Sequence, residues 1–544
     1  MNRRRYLTLT LLFSTAGFLG LSSTQGVEPA KSKTADKPKI ADGALHASRA
    51  WDAEKAAHLL RRAGFGGTPD QIKALEAMGR EKAVASLVDY EQIEWNAIPF
   101  ETPIDGKRLR RSLRAGSREE RQKLIADARK ADRVVFEQLG AWWIEMMVSS
   151  PRPLEEKLVL FWHGHFTSGY REVKSSKALH LQNQTLRKNA SGDFREFLFD
   201  ITEDPAMILY LNTQQNRKGK PNENYARELL ELFTMGPGNY TEQDIKEAAR
   251  AFTGISIDVE AGETVYRSQQ HDFGEKTFLG RTGQLEPADI IDTILEQEVT
   301  AEFIARKAWS FFAYDNPEDA IIKALGGVLR DNDYQLKPML RAMFMSDAFY
   351  SERALFTNIK SPVELLIGTL RMLEIEPHDT TAMNIGLRMM GQSLMQPPNV
   401  KGWDGGATWI TSSTLFNRYN VLGGVIAGND NPQARRRRER LSQVMRENLG
   451  NEAVMMNDIT EYRPQPAYNP IPVVESYKLN TAEKVVDHFA KRLLQRRLKP
   501  DRRKLLIDAI KPNFRAKDLK SDRNAELIRG LIHLIVSMPE YQLS

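Results

Sequence analysis

The chain has 544 residues, 41% of them hydrophobic, 27% charged and 8% aromatic, enough apolar content for a sizeable core and too much charge for a membrane protein. Lys and Arg exceed Asp and Glu by 6, and Arg3, Arg4 and Arg5 lie in a segment expected to be removed, leaving +3; that balance excludes a general attraction to nucleic acid. With no cysteine, disulfides, zinc–thiolate sites, iron–sulfur clusters and a cysteine nucleophile are excluded, and a metal would need His, Asp, Glu, Asn or backbone oxygen.

Residues 1–26 read as a signal peptide. A basic head is followed by a modest apolar core from Leu9 to Leu21, too short for a spanning helix, which needs roughly twenty residues. The order polar-Arg-Arg-x-aromatic-Leu at its start resembles a twin-arginine leader, which places the mature protein in the periplasm or outside the cell. The competing reading is an uncleaved anchor. Residues 27–50, rich in Lys, Pro, Ala and Asp, read as a flexible linker.

Residues 51–427 read as a helical core domain, and the fold class is mainly α. Asp52 caps a first helix that stops near Gly64, and Thr68-Pro69 opens a second. A charged periodic stretch over 107–135 and a helix through Trp142 and Met147 follow. Another runs from Glu155 into Phe161-Trp162-His163-Gly164-His165-Phe166, and further helices are expected near 177–190, 193–202, 222–234 and 241–252. The one β-like stretch, about 255–283, predicts a small hairpin inserted among helices. Helices resume from Pro287, Ala301, Leu336 and Ser361, and 391–410 reads as an ordered loop. Residues 428–480 look like a polar insertion, with the run Arg435 to Arg438 as a solvated face; helices over 481–544 pack on the core.

Nucleotide-loop, zincin and serine-hydrolase signatures are absent, and Asp272-Phe273-Gly274 without a glycine-rich loop is a chance match to kinases. Four constellations remain. His163 and His165 flank Gly164; in a turned segment they can share a divalent metal or divide acid–base work, and the alternative is one core and one surface histidine. In Asn222-Glu223-Asn224-Tyr225-Ala226-Arg227-Glu228, the spacing sets Glu223 beside Arg227 and Asn224 beside Glu228. That segment is either a salt-bridged face or a buried network in which Arg227 orients a carboxylate. His271, Asp272 and Lys276 lie on a glycine-held turn suited to an anion or metal, or to a plain structural salt bridge. Asn399 and Trp403 belong to Pro397-Pro398-Asn399-Val400-Lys401-Gly402-Trp403, a pocket wall for sugar stacking or simple core packing.

These strings resemble one bacterial family, the domain-of-unknown-function family 1800. The matching pieces are Ala57 to Gly66, Glu156 to Phe166, Asp204 to Met207, Gln215 to Lys218, Pro221 to Gly236, His271 to Gly280, Ser361 to Glu364 and Pro397 to Trp403. The resemblance implies an exported protein, commonly encoded beside a second exported protein similar to phosphatases and sulfatases, and brings no established activity. The resulting expectation is an exported hydrolase or transferase with one polar cleft, acting on an extracellular polysaccharide or anionic fragments. His163, His165, Glu223, Glu228 and His271 would carry the chemistry. Asn222, Asn224, Arg227, Asp272, Lys276, Asn399 and Trp403 would bind. The alternative is a non-catalytic partner of the phosphatase- or sulfatase-like protein. Neither reading involves nucleic acid, nor a membrane beyond the signal segment.

Overall fold

Cap residues start the helices where local sequence places them. The computed structural model describes Leu45 and residues 50–102, 117–258, 262–429 and 464–544; the signal segment, nearly all of the linker and the Arg435–Arg438 run lie outside the described residues. The Asp52 carboxylate accepts the Lys55 N–H at 3.0 Å to open Ala53–Arg62. Thr68, Ser117 and Ser361 form capping boxes with Gln71, Glu120 and Glu364 at the heads of Pro69–Met78, Arg118–Ser149 and Pro362–Leu373. Each such cap contributes about 1 kcal/mol.

The fold is mainly α, with 22 α-helices and two separate two-stranded antiparallel hairpins among the described residues. Within the β-like stretch, Ile255–Asp258 (β1) pairs with Glu263–Tyr266 (β2), and Lys276–Phe278 (β3) with Arg281–Gly283 (β4). The second hairpin turns on Leu279 and Gly280, both at positive φ, the geometry that two-residue hairpin loops require. Leu279 is held there by its N–H, which donates to Asp244 at 2.8 Å.

The charged stretch ending near 135 and the Trp142 segment form one helix of 32 residues, Arg118–Ser149, because no proline interrupts it. Its Gly140 lies against the Asn384 amide. Asp319–Asp331, Thr380–Met389 and Ser412–Ala427 are helices that the sequence reading did not separate from their surroundings.

Pro153–His165 is the axis of the core. It contacts Arg118–Ser149 and Ser176–Lys188, and Trp162 stacks on Phe166 and Phe194 and meets Phe197 edge-on. Ala482–Leu494, Pro500–Ile510 and Asp522–Val536 pack on one another and on Pro362–Leu373 and Ser412–Ala427. Among the described residues no helix is long and apolar enough to cross a membrane.

Candidate functional site

The two histidines of the His-Gly-His string lie on a continuous helix, where a spacing of two sets side chains about 200° apart. Each ring engages a different backbone segment. His163 Nε2 accepts the Met395 N–H at 3.2 Å, and its ring rests on Trp143 and Trp403. His165 Nε2 donates to the Phe233 carbonyl at 3.0 Å. Burial pushes His163 down to about 4 and His165, with Lys307 nearby, down to about 3. Both are therefore neutral packing groups, and the shared metal site expected of them is not formed. Among the described residues no group of three or more His, Asp or Glu side chains is gathered as a metal ion would need.

The Phe233 carbonyl is open to His165 because it lies in the last turn of its helix, with Pro237, which has no N–H, four residues on. Asn224–Glu228 is α-helical, but Leu229–Thr234 widens into a π turn in which Met235 N–H reaches back to Leu230. Glu223 stands at the N-cap without a capping side-chain bond. Asn222 instead locks the turn: its Oδ1 accepts the Asn224 N–H at 3.0 Å. Arg227 donates to both oxygens of Glu242 at 2.9 and 2.8 Å and to Glu223 at 3.1 Å. It is thus an element-to-element clamp, with Glu242 as the partner that sequence spacing did not reveal. Glu228 is half-buried and raised by burial and by Glu231, with Arg227 and then Lys401 opposing.

Asn399 Oδ1 accepts the Lys401 N–H at 2.8 Å, which shapes an exposed turn. At Gly402, φ is +81° and a Cβ would lie 2.4 Å from the Gly164 carbonyl oxygen. Glycine is therefore required where this loop crosses the His-Gly-His helix, and Trp403 then meets His163 at 5.5 Å between ring centroids. The first, second and fourth constellations meet as packing rather than as an open cleft.

The third stands by itself. Asp272 accepts from Arg250 at 2.8 Å, and that bond holds it down to about 2. His271 Nδ1 donates to the Thr253 carbonyl at 2.7 Å, and its Nε2 lies 3.3 Å from Glu286. Lys276 is buried without a hydrogen-bond partner and lowered by that burial.

An open cavity lies elsewhere. About 750 Å³ in volume, it is lined by Tyr90 and Glu91, by Glu155 on the axial helix, by Gln184, Thr185, Arg187 and Lys188, and by Ser191, Asp200, Glu203 and Asp204. Such a volume suits a small-molecule or chain-segment ligand. Glu155 is pushed up to about 7 by burial and by the adjoining Glu156. It forms an ion pair with Arg152 at 3.5 Å, and Arg187 acts on it through its field. Asp204 is also pushed up to about 7, chiefly by burial. Its Oδ1 accepts from Gln182 and the Met207 N–H, while its buried Oδ2 has no partner. Tyr90 and Ser191 hydroxyls share a hydrogen bond of 2.8 Å on the wall.

The cavity's shape is fixed by Glu156, which is fully buried. It receives two bonds from Arg187, at 2.8 and 3.0 Å, and one from Trp143 Nε1 at 3.1 Å. Sequence reasoning missed Glu155, Arg187 and Asp204 as chemical groups. Asp204 entered the sequence analysis only within the family string Asp204 to Met207; in the structure it caps Pro205–Tyr210.

The model of one family, described as Protein of unknown function (DUF1800), matches residues 58–543, and the chain belongs to that family. No curated protein and no solved structure matches it significantly.

Proposed function

We propose that this DUF1800 protein is an exported hydrolase or transferase that acts on a polysaccharide, with Glu155 and Asp204 as its acid–base pair. The observation that carries the reading is a ligand-sized cavity lined by two carboxyls, each holding its proton to about 7. Near neutral pH one can be protonated while the other is ionised. The protonated carboxyl gives its proton to the leaving oxygen as the glycosidic C–O bond breaks. The carboxylate takes a proton from the water or acceptor hydroxyl whose oxygen bonds to the anomeric carbon.

The lining favours a neutral or cationic chain over anionic fragments. Among the lining residues Glu91, Glu155, Asp200, Glu203 and Asp204 outnumber Arg187 and Lys188; those two are engaged by Glu156 and Asp200, and Lys337 and Arg152 from outside the lining pair Glu91 and Glu155. Tyr90, Thr185, Gln184 and Ser191 supply hydrogen bonds suited to sugar hydroxyls. The twin-arginine-like leader supports a substrate outside the cytoplasm.

Release of reducing ends from a panel of oligosaccharides, measured with the purified full chain, tests the reading. Glu155→Gln and Asp204→Asn are each expected to lower turnover about 100-fold or more. Full activity in either variant, or no turnover of any oligosaccharide by the wild type, overturns it. The alternative, docking to a phosphatase- or sulfatase-like exported protein, draws on Ile385, Met389 and Phe416, exposed apolar residues on helices in contact. Co-purification that Phe416→Asp abolishes would favour it.

A further inference from the structure

A second set of charged residues, outside the cavity, is buried with its charges unbalanced. Arg61, Arg62, Lys157, Lys360 and Arg418 are each at least nine-tenths buried. Glu364 is the carboxylate among them: it binds Lys157 directly and lies 3.7 Å from Arg62. Burial alone would raise Glu364, yet Lys157 and Arg62 hold it down to about 2. Among the described residues Glu364 is the one carboxylate in ion-pair contact with these five basic side chains, and it touches only Lys157 and Arg62, in a place where an unpaired charge is costly.

The cations differ in how well their donors are satisfied. Arg62 is complete: Nε and Nη2 donate to the Phe312 and Phe311 carbonyls and Nη1 to the Ser544 hydroxyl. Arg61 uses Nη1 on Gln495 at 2.8 Å, while its Nε and Nη2 are buried without partners. Arg418 donates through Nε to Gln542 and through Nη2 to the Lys360 carbonyl, both at 2.8 Å, and its Nη1 has no partner. The Lys360 ammonium sits 3.8 Å above the Tyr541 ring. Its ionisation is pushed well down by burial and then by Arg61, with Arg418 and Lys157 adding to the effect, so these cations feel one another's fields. Arg61 also lies 4.2 Å over Phe356, whose ring Arg496 approaches to 4.7 Å. Glu54 and Asp315 act on Arg61 and Arg62 only through their fields.

Three orphaned guanidinium donors and a surplus of positive charge call for an acceptor that carries negative charge. We infer that a small oxyanion, of phosphate, sulfate or carboxylate type, binds among Arg61, Lys360 and Arg418. Guanidinium forks match the paired oxygens of such groups better than they match a spherical halide. The site is independent of the glycan cavity, since none of its residues lines that cavity. It joins the first helix to the loop before Pro362–Leu373 and to Ser412–Ala427, so the anion would act as an internal staple.

Isothermal titration of the full chain in oxyanion-free chloride buffer tests the inference, with sodium phosphate, sodium sulfate and sodium acetate as separate titrants. One equivalent of at least one of them is expected to bind. Arg61→Lys keeps the charge but removes the orphaned fork, and is expected to weaken binding about tenfold or more; Arg418→Lys should do the same. Melting temperature should rise with the same oxyanion in the wild type and much less in both variants, a readout that survives even if one variant folds poorly. Absence of binding by all three titrants, or unchanged affinity and unchanged thermal response in both folded variants, overturns the inference.

Discussion

Glu155 and Glu156 are neighbours in sequence and opposites in environment. Glu156 is clamped by Arg187 and Trp143, whereas Glu155 faces the cavity with one long contact to Arg152. Because its folded pKa of about 7 exceeds the roughly 4.3 of an unfolded glutamate, the unfolded chain holds fewer protons between those values. The stability from this carboxyl is therefore present below about pH 4 and lost as pH rises through 7. Glu155→Gln is expected to raise stability at pH 8 by up to about 3 kcal/mol and to change it little at pH 4, checked by urea melts at both pH values. His163 has the opposite sign. Its folded pKa of about 4 is below the roughly 6.5 of the unfolded chain, so stability is lost as pH falls from 6.5 toward 4.

The π turn at Leu229–Thr234 is the element that gives the second constellation its form. The helix ends at Thr234 and Pro237, four residues beyond Phe233, has no N–H, so the Phe233 carbonyl lacks an intrahelical donor; His165 supplies one from the neighbouring helix. His165→Phe preserves an aromatic ring among Phe161, Phe166 and Phe233 but orphans that carbonyl. The expected cost is about 1–3 kcal/mol, read as a lower thermal midpoint with unchanged helical circular dichroism. This contact was not legible in sequence. The His-Gly-His spacing was visible, but the partner is a backbone atom 68 positions away, and which helix end lies against the histidine is settled only on folding. The helix starts at Thr68 and Ser361 were a different case, because both partners of each capping box lie within three residues.

Across the whole molecule, buried arginine and lysine tie distant segments together. Arg61 reaches Gln495 across 434 positions, and Arg371 gathers the carbonyls of Met147, Val148 and Ser150 at the end of the long helix. Glu364 is the hinge of that scheme, since Lys157 and Arg62 both depend on it. Glu364→Gln is expected to cost about 3–5 kcal/mol, because two buried cations lose their common anion; the urea midpoint of the full chain measures it.

The amino-acid sequence by itself determined the helical class, most helix starts, the β insertion and the family, because caps, periodicity and turn residues act over a few positions along the chain. It also marked His163, Glu223, Arg227, His271 and Trp403 as unusual residues. Only the tertiary structure decided what each polar group faces. It placed the histidines in aromatic core, paired Arg227 with Glu242, and gave the cavity to Glu155 and Asp204. The physical reason is that a side chain's charge and reactivity are set by desolvation and by partners from remote segments, and neither quantity exists until the chain has folded.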